Sequence, residues 1–258
     1  LSNNLVEMWR RGETACGIWC YLNNELAMEM SGSPGPDYVL VDLQHGVAGI
    51  SEAIHMVRAS QFHGTNPIVR VPHCEPELIG KMLDGGAAGI MVPMVESGET
   101  AAKMVEACRY PPQGGIRSFG PVRAALLQGT TSLDVLSDVA AIAMIETVKG
   151  VEAAEEIANT PGLSAIYIGP VDLSISLGLG PAMPSDNPLF LDAVAKVKKA
   201  CDAAGIVIGM HCQNGEVAGA FARDGFRMLT VATDIDLVKV GAKRELEAAR
   251  ASFKGVKA

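Results

Sequence analysis

Eight short apolar runs recur along this chain, each followed by a stretch of helical periodicity, and none of the eight alternates apolar with polar residues. They are Ala15–Cys20, Tyr38–Leu43, Pro67–Val71, Gly89–Val92, Ala140–Ile145, Ala165–Ile168, Ile206–Met210 and Arg227–Val231. A strand wetted on one face alternates. One buried on both faces reads as continuously apolar, as in a parallel sheet covered by helices. Three runs exit on proline, at Val71-Pro72, Val92-Pro93 and Gly169-Pro170, where a residue without an N–H ends a central ladder.

The segments between the runs read as helices. Ala101, Met104, Val105 and Cys108 fall at i, i+3, i+4 and i+7 behind Ser97, which predicts an N-cap. Val151, Ala154 and Ala158 form a similar stripe, as do Phe190, Val194, Val197 and Cys201. Glycines at 85–86, 205 and 225 stop helices just before the next strand. Eight such units with right-handed crossovers close into a (β/α)₈ barrel, and 258 residues suit one domain spanning 1–258. The competing architecture is a doubly wound open sheet. It would carry a glycine-rich phosphate turn after an early strand, and Gly178 and Gly180 supply only a late Gly-x-Gly. Residues 110–139 and 178–188 exceed what a lean barrel needs, and connections of that length serve function or subunit contact.

Composition narrows the partners. The chain has 21 basic and 29 acidic residues, a net charge of −8, and only 5% aromatics, with no basic block interleaved with them. Nucleic acid is therefore not an expected partner, and neither is a membrane, since no apolar run reaches spanning length. The six cysteines include no Cys-x-x-Cys pair, and the N-terminus shows no signal-peptide pattern. A reducing compartment, the cytoplasm, is the expected location.

The residues with chemistry gather at strand ends. Glu146 and Asp172 close the fifth and sixth runs, 26 residues apart, which is about one repeat. In a barrel that spacing sets two carboxylates side by side at the mouth where substrates bind. Hard oxygen ligands with room for waters suit Mg²⁺ or Mn²⁺; the alternative is that one carboxylate caps a helix and the other is a solvated loop acid. His45, in Asp42-Leu-Gln-His-Gly, reaches the same end and is suited to proton transfer. Asp42 either orients His45 or caps the helix that follows. His211 follows the seventh run and is a substrate-contact candidate, whereas His55, His63 and His73 read as surface. Arg70 lies in an otherwise apolar strand and must face an anion. That anion is either a structural carboxylate or, as its place at the strand end favours, the substrate. Arg70→Ala is accordingly expected to cost far more in turnover than in stability.

Asp-Leu-Gln-His-Gly, Ile-Val-Arg-Val-Pro, Met-Val-Pro-Met-Val, Arg-Tyr-Pro-Pro, Met-Ile-Glu-Thr and Tyr-Ile-Gly-Pro-Val-Asp-Leu-Ser occur in this order. From about Thr14 to Val240 the chain resembles the HpcH/HpaI aldolase family of metal-dependent pyruvate aldolases. The resemblance implies a TIM barrel of the phosphoenolpyruvate/pyruvate-domain type and a divalent ion, Mg²⁺, Mn²⁺ or Co²⁺, on Glu146 and Asp172. It implies reversible cleavage of a 4-hydroxy-2-keto acid to pyruvate, or hydroxypyruvate, and an aldehyde through a metal-bound enolate. Arg70 would stand near the keto oxygen, and His45 in the proton-transfer machinery. Asp84 would pair with that histidine from a neighbouring subunit, and the backbone of Gly169, Pro170 and Val171 would hold the pyruvate carboxylate. A homohexamer built as a trimer of dimers is implied, with the last helix, about 235–253, exchanged between barrels. Gln44 stands where many relatives carry Glu. The segment from Arg117 to Arg123, with Arg123 a further site candidate, differs from that of members acting on long dicarboxylic substrates. Three alternatives stay open: a related lyase or decarboxylase (thioester lyase, oxaloacetate decarboxylase), a Schiff-base aldolase using Lys149, and a non-catalytic keto-acid-binding barrel.

Overall fold

The computed structural model describes residues 4–183 and 186–253. Eight parallel strands close into a barrel in sequence order: β1 Ala15–Cys20, β2 Tyr38–Asp42, β3 Asn66–Arg70, β4 Gly89–Val92, β5 Ala140–Ile145, β6 Ala165–Ile168, β7 Val207–His211 and β8 Met228–Thr233, with β8 pairing back onto β1. The expected (β/α)₈ architecture is present and the open sheet is not. Four strands have the expected bounds and four are displaced by one or two residues. The ladder sets these ends: β2 pairs with β3 from Tyr38–Asn66 to Asp42–Arg70, which hydropathy cannot sense.

Continuous apolar runs conceal a two-residue period that matters for function. Val39, Val41, Val69, Ile90, Val92, Ile166 and Ile168 face outward and pack with the helices in one large cluster. Trp19, Tyr38, Leu40, Ile68, Met91, Ile142, Met144 and Tyr167 face inward and fill the barrel. Gly17 makes room for this filling, because a Cβ there would lie 2.3 Å from the Tyr38 ring. Thr230 satisfies the two buried phenols, accepting from Tyr167 Oη at 2.6 Å and lying 3.0 Å from Tyr38 Oη.

The helical expectations resolve locally. Ser97 Oγ accepts from Thr100 N at 3.2 Å, as an N-cap should. The stripe at 151–158 is interrupted at Ala153 and splits into Val148–Glu152 and Ala154–Ala158. The 110–139 stretch forms a short 3₁₀ turn, Pro111–Gln113, and two helices, Val122–Gln128 and Leu133–Ser137, over a small core of Tyr110, Ala124 and Leu136. In the 178–188 stretch, Pro184 and Ser185 lie outside the described residues. The last helix, Asp234–Ser252, buries only Asp234 and leaves Leu237, Val238, Val240 and Leu246 exposed. No helix among the described residues is long and apolar enough to cross a membrane. All six cysteines are unpaired, four of them buried.

Candidate active site

The period-two alternation carries the last inward position of several strands to the C-terminal rim, where a cavity of about 950 Å³ opens. Trp19, His45, Arg70, Met144, Asp172 and His211 are among its walls. A second cavity, about 560 Å³, lies at the opposite end beside Asn66, Ala88 and Val139 and holds none of these side chains. Barrel enzymes place their chemistry at the C-terminal rim, so the first cavity is the candidate site.

Asp42 and Arg70 are register partners on neighbouring strands and form a buried ion pair. Arg70 Nε donates to Asp42 Oδ1 at 3.0 Å, and Nη2 donates to Oδ2. This corrects the expectation that the substrate is the main partner of Arg70: a structural carboxylate is. Only Nη1 is left, 3.8 Å from the Met144 sulfur, a weak acceptor that leaves donor capacity facing the cavity. Burial alone would raise the Asp42 carboxyl, but the hydrogen bonds and charge of Arg70, with help from Trp19, hold it below the usual range. Asp42 also answers the question of its role. Its Oδ1 accepts from the backbone N–H of Gln44 at 2.8 Å and of His45 at 3.2 Å, so it fixes the turn that presents His45. Gly46 completes this turn, since a Cβ there would lie 2.1 Å from the Asp42 carbonyl oxygen. The His45 residue is exposed at the rim.

Trp19 was not singled out in the sequence, although it is the inward residue at the end of β1. Its Nε1 donates to Asp42 Oδ2 at 3.1 Å, its ring lies 4.7 Å beneath the Arg70 guanidinium, and its edge meets His211 at 5.0 Å. His211 is the last residue of β7 rather than the first beyond it. Burial, and then the charge of Arg70, push its pKa down to about 4, so at neutral pH it is an uncharged imidazole on the cavity wall.

Glu146 stands one residue past Ile145, which pairs with Ile168, and therefore lies beside Gly169. It is 2% exposed, and its Oε1 accepts from Met94 N at 2.9 Å. Burial pushes its pKa up to about 7, and the nearby negative charges of Asp172 and Asp42 add to this against the Met94 hydrogen bond and Arg70. Gly169 has to be glycine, because a Cβ there would come within 2.5 Å of Glu146 Oε2. Asp172 is exposed in the first turn of the helix Pro170–Ser176. Since Asp42 already neutralises Arg70, the Glu146–Asp172 pair has no basic partner of its own among the described residues, and its hard oxygens fit a divalent cation. Gln44 Oε1, buried without a hydrogen-bond partner, is a further orphaned oxygen in the loop after β2. Among the described residues no group of three or more His, Cys, Asp or Glu side chains is arranged for a metal. A cation held here would therefore have Glu146 and Asp172 as its side-chain carboxylates.

Other expectations shift. Gly169 N–H is spent on Ile145 O at 3.1 Å and Pro170 has none, so of the 169–171 backbone only Val171 N–H, with Asp172 beyond it, is left to bind an anion. Asp84 ends the helix Pro76–Asp84, which runs away from the rim, and its Oδ1 accepts from buried Arg117 at 2.7 Å. Arg123 donates to Gly85 O at 2.7 Å in the same region. Within one chain, neither residue lines the candidate site. Lys149 is exposed and bonded to Glu96 Oε2 at 3.1 Å, outside the barrel mouth, which removes it as a Schiff-base lysine.

Known proteins resemble this chain over nearly its whole length. The profile of the HpcH/HpaI aldolase/citrate lyase family matches residues 15–239. A hydroxypyruvate/pyruvate aldolase of Rhizorhabdus wittichii is 33% identical over 250 residues, 96% of this chain and 99% of that protein. A 2-dehydro-3,6-dideoxy-6-sulfogluconate aldolase of Pseudomonas putida is 34% identical over 236 residues, 90% of this chain and 91% of that one. The crystal structure of an HpcH/HpaI aldolase/citrate lyase family protein from Burkholderia cenocepacia J2315 superposes with a TM-score of 0.87 at 29% identity, covering 96% of this chain and 99% of that one.

Proposed function

Because the chain belongs to the HpcH/HpaI aldolase/citrate lyase family, we propose that its barrel mouth is the active site of a carbon–carbon lyase that reversibly cleaves a 4-hydroxy-2-keto acid to pyruvate, or hydroxypyruvate, and an aldehyde. The observation that carries this reading is the buried Glu146, without a salt-bridge partner among the described residues, beside Gly169 and close to Asp172, which line the same cavity as Arg70 and His45. Aldolases among the relatives support the reaction class.

Glu146 and Asp172 would hold a divalent cation, Mg²⁺, Mn²⁺ or Co²⁺. When bound, it supplies Lewis-acid polarisation of the keto-acid carbonyl, worth several kcal/mol in the transition state. Arg70 adds fixed positive charge through Nη1 at the oxygen where charge develops. Its guanidinium cannot swing away, because Asp42 grips two of its nitrogens and the Trp19 ring lies beneath it. The free N–H groups of Val171 and Asp172 receive the carboxylate. His45 moves the proton of the C4 hydroxyl, held at the rim by the Asp42 turn. Its pairing with Asp84 of a neighbouring subunit belongs to the same proposal, and Arg123 would reach the site by the same route.

The exposed aliphatic face of the last helix supports an oligomer, in the fullest form a hexamer arranged as a trimer of dimers. Nineteen residues with a single buried side chain and several exposed aliphatic ones suit exchange onto a neighbouring barrel. Six unpaired cysteines suit a cytoplasmic location.

A retro-aldol screen of 4-hydroxy-2-keto acids, coupled to pyruvate detection, tests the reading. Turnover of at least one compound is expected, abolished by EDTA and restored by Mn²⁺ or Mg²⁺. Full turnover by the metal-stripped protein would refute the role given to the carboxylates.

A further inference from the structure

Met94 is, among the described residues, the one residue other than glycine with a positive φ, 53°. It follows β4 at the rim and is half-exposed, so burial does not force its conformation. An L side chain in the left-handed region crowds its own backbone, and such conformations persist where the surroundings over-determine them. Here the surroundings are the end of β5. Met94 N–H reaches Glu146 Oε1 at 2.9 Å, and the next amide, Val95, reaches Met144 O at 3.0 Å. The turn is packed from behind as well, since a Cβ on Gly150 would lie 2.8 Å from Val95 O. On the other flank of Glu146, bare Gly169 abuts Oε2.

We infer that the left-handed turn at Met94 is a positioning device for Glu146. It fixes Oε1 with one backbone N–H and so reserves Oε2, on the Gly169 side, for a divalent cation. Met94 itself touches neither substrate nor cation; it acts through the carboxylate. The inference rests on the cation reading given above, and the test separates the two. Mn²⁺ is titrated calorimetrically into metal-stripped wild type, Met94→Gly, Met94→Val and Glu146→Gln. Glycine accepts the left-handed region freely, whereas a β-branched residue resists it most. M94G should bind within about twofold of wild type and M94V about tenfold more weakly or worse, a loss of the size typical of a misoriented ligand. E146Q should lose binding.

If E146Q binds as wild type does, the cation reading fails and the Met94 inference with it. If E146Q loses binding while M94V keeps it, the inference about Met94 alone is overturned. A second readout needs no strained variant. In wild-type protein carrying ¹⁵N-methionine, the Met94 amide should shift on Mg²⁺ addition, and in E146Q it should not. An unmoved Met94 amide in wild type would overturn the inference even if M94V failed to fold.

Discussion

Replacing Glu146 by Gln should make the metal-stripped protein more stable at pH 8 and remove its activity. Folded, Glu146 keeps its proton up to about pH 7, whereas its ordinary value is 4.5. Between these limits the folded state binds more protons than the unfolded one. The linkage sign is therefore negative: stability is at its fullest below pH 4.5 and declines as pH rises through about 7. The shift corresponds to roughly 3 kcal/mol at most. Gln stays neutral at every pH and can still accept the Met94 N–H, so it escapes the penalty. Urea denaturation of the two stripped proteins should show a gap that is small at pH 5 and widens to a few kcal/mol at pH 8. The same substitution should lower kcat/KM by about 10²-fold or more, because it removes a charge from the cation site. A gap that does not change with pH would mean that Glu146 ionises normally in the fold. Stability given up at a functional carboxylate is the usual signature of an active site.

The second large effect concerns Arg70. From the sequence, Arg70→Ala was expected to harm turnover far more than stability. The ion pair revises this, because the alanine variant leaves the Asp42 carboxylate buried without its countercharge. Such a loss costs about 3–5 kcal/mol. The double variant Asp42→Asn/Arg70→Met removes both charges and should recover a large part of that stability, since a buried pair contributes little beyond an apolar replacement. It should recover no turnover, because nothing then replaces Nη1. Thermal midpoints and retro-aldol rates on the three proteins separate the two roles. A double variant that regained activity would take Arg70 out of the chemistry.

Much of this was legible in the sequence, for identifiable reasons. Burial on both faces makes a parallel strand continuously apolar, so the eight strands were visible. Asp42, Glu146 and His211 were visible as candidates because polar residues at the ends of such runs have few alternative roles. The Asp42–Arg70 pair was within reach, since both are the last inward residues of adjacent strands. Recognising it required the register, and hydropathy does not carry register. Trp19 was hidden because an inward tryptophan reads as core filling until the guanidinium above it is seen. Met94 lies in the Met-Val-Pro-Met-Val motif but gave no signal of its conformation, because methionine has no preference for a left-handed backbone. The position of Asp84 follows from direction alone: a helix that leaves the rim carries its last residue to the far end of the barrel.

If the Glu146–Asp172 pair, with a bound cation, activates a 2-keto acid at the barrel mouth, the protein should enolise pyruvate on its own. Deuterium uptake at the methyl group of pyruvate in D₂O, followed by proton NMR, tests it most directly, because no aldehyde partner needs to be known. Steady exchange is expected with Mg²⁺ present, none after EDTA, and none from Glu146→Gln under either condition. Exchange by the stripped wild-type protein at the same rate, or undiminished exchange by the Gln variant, would contradict it.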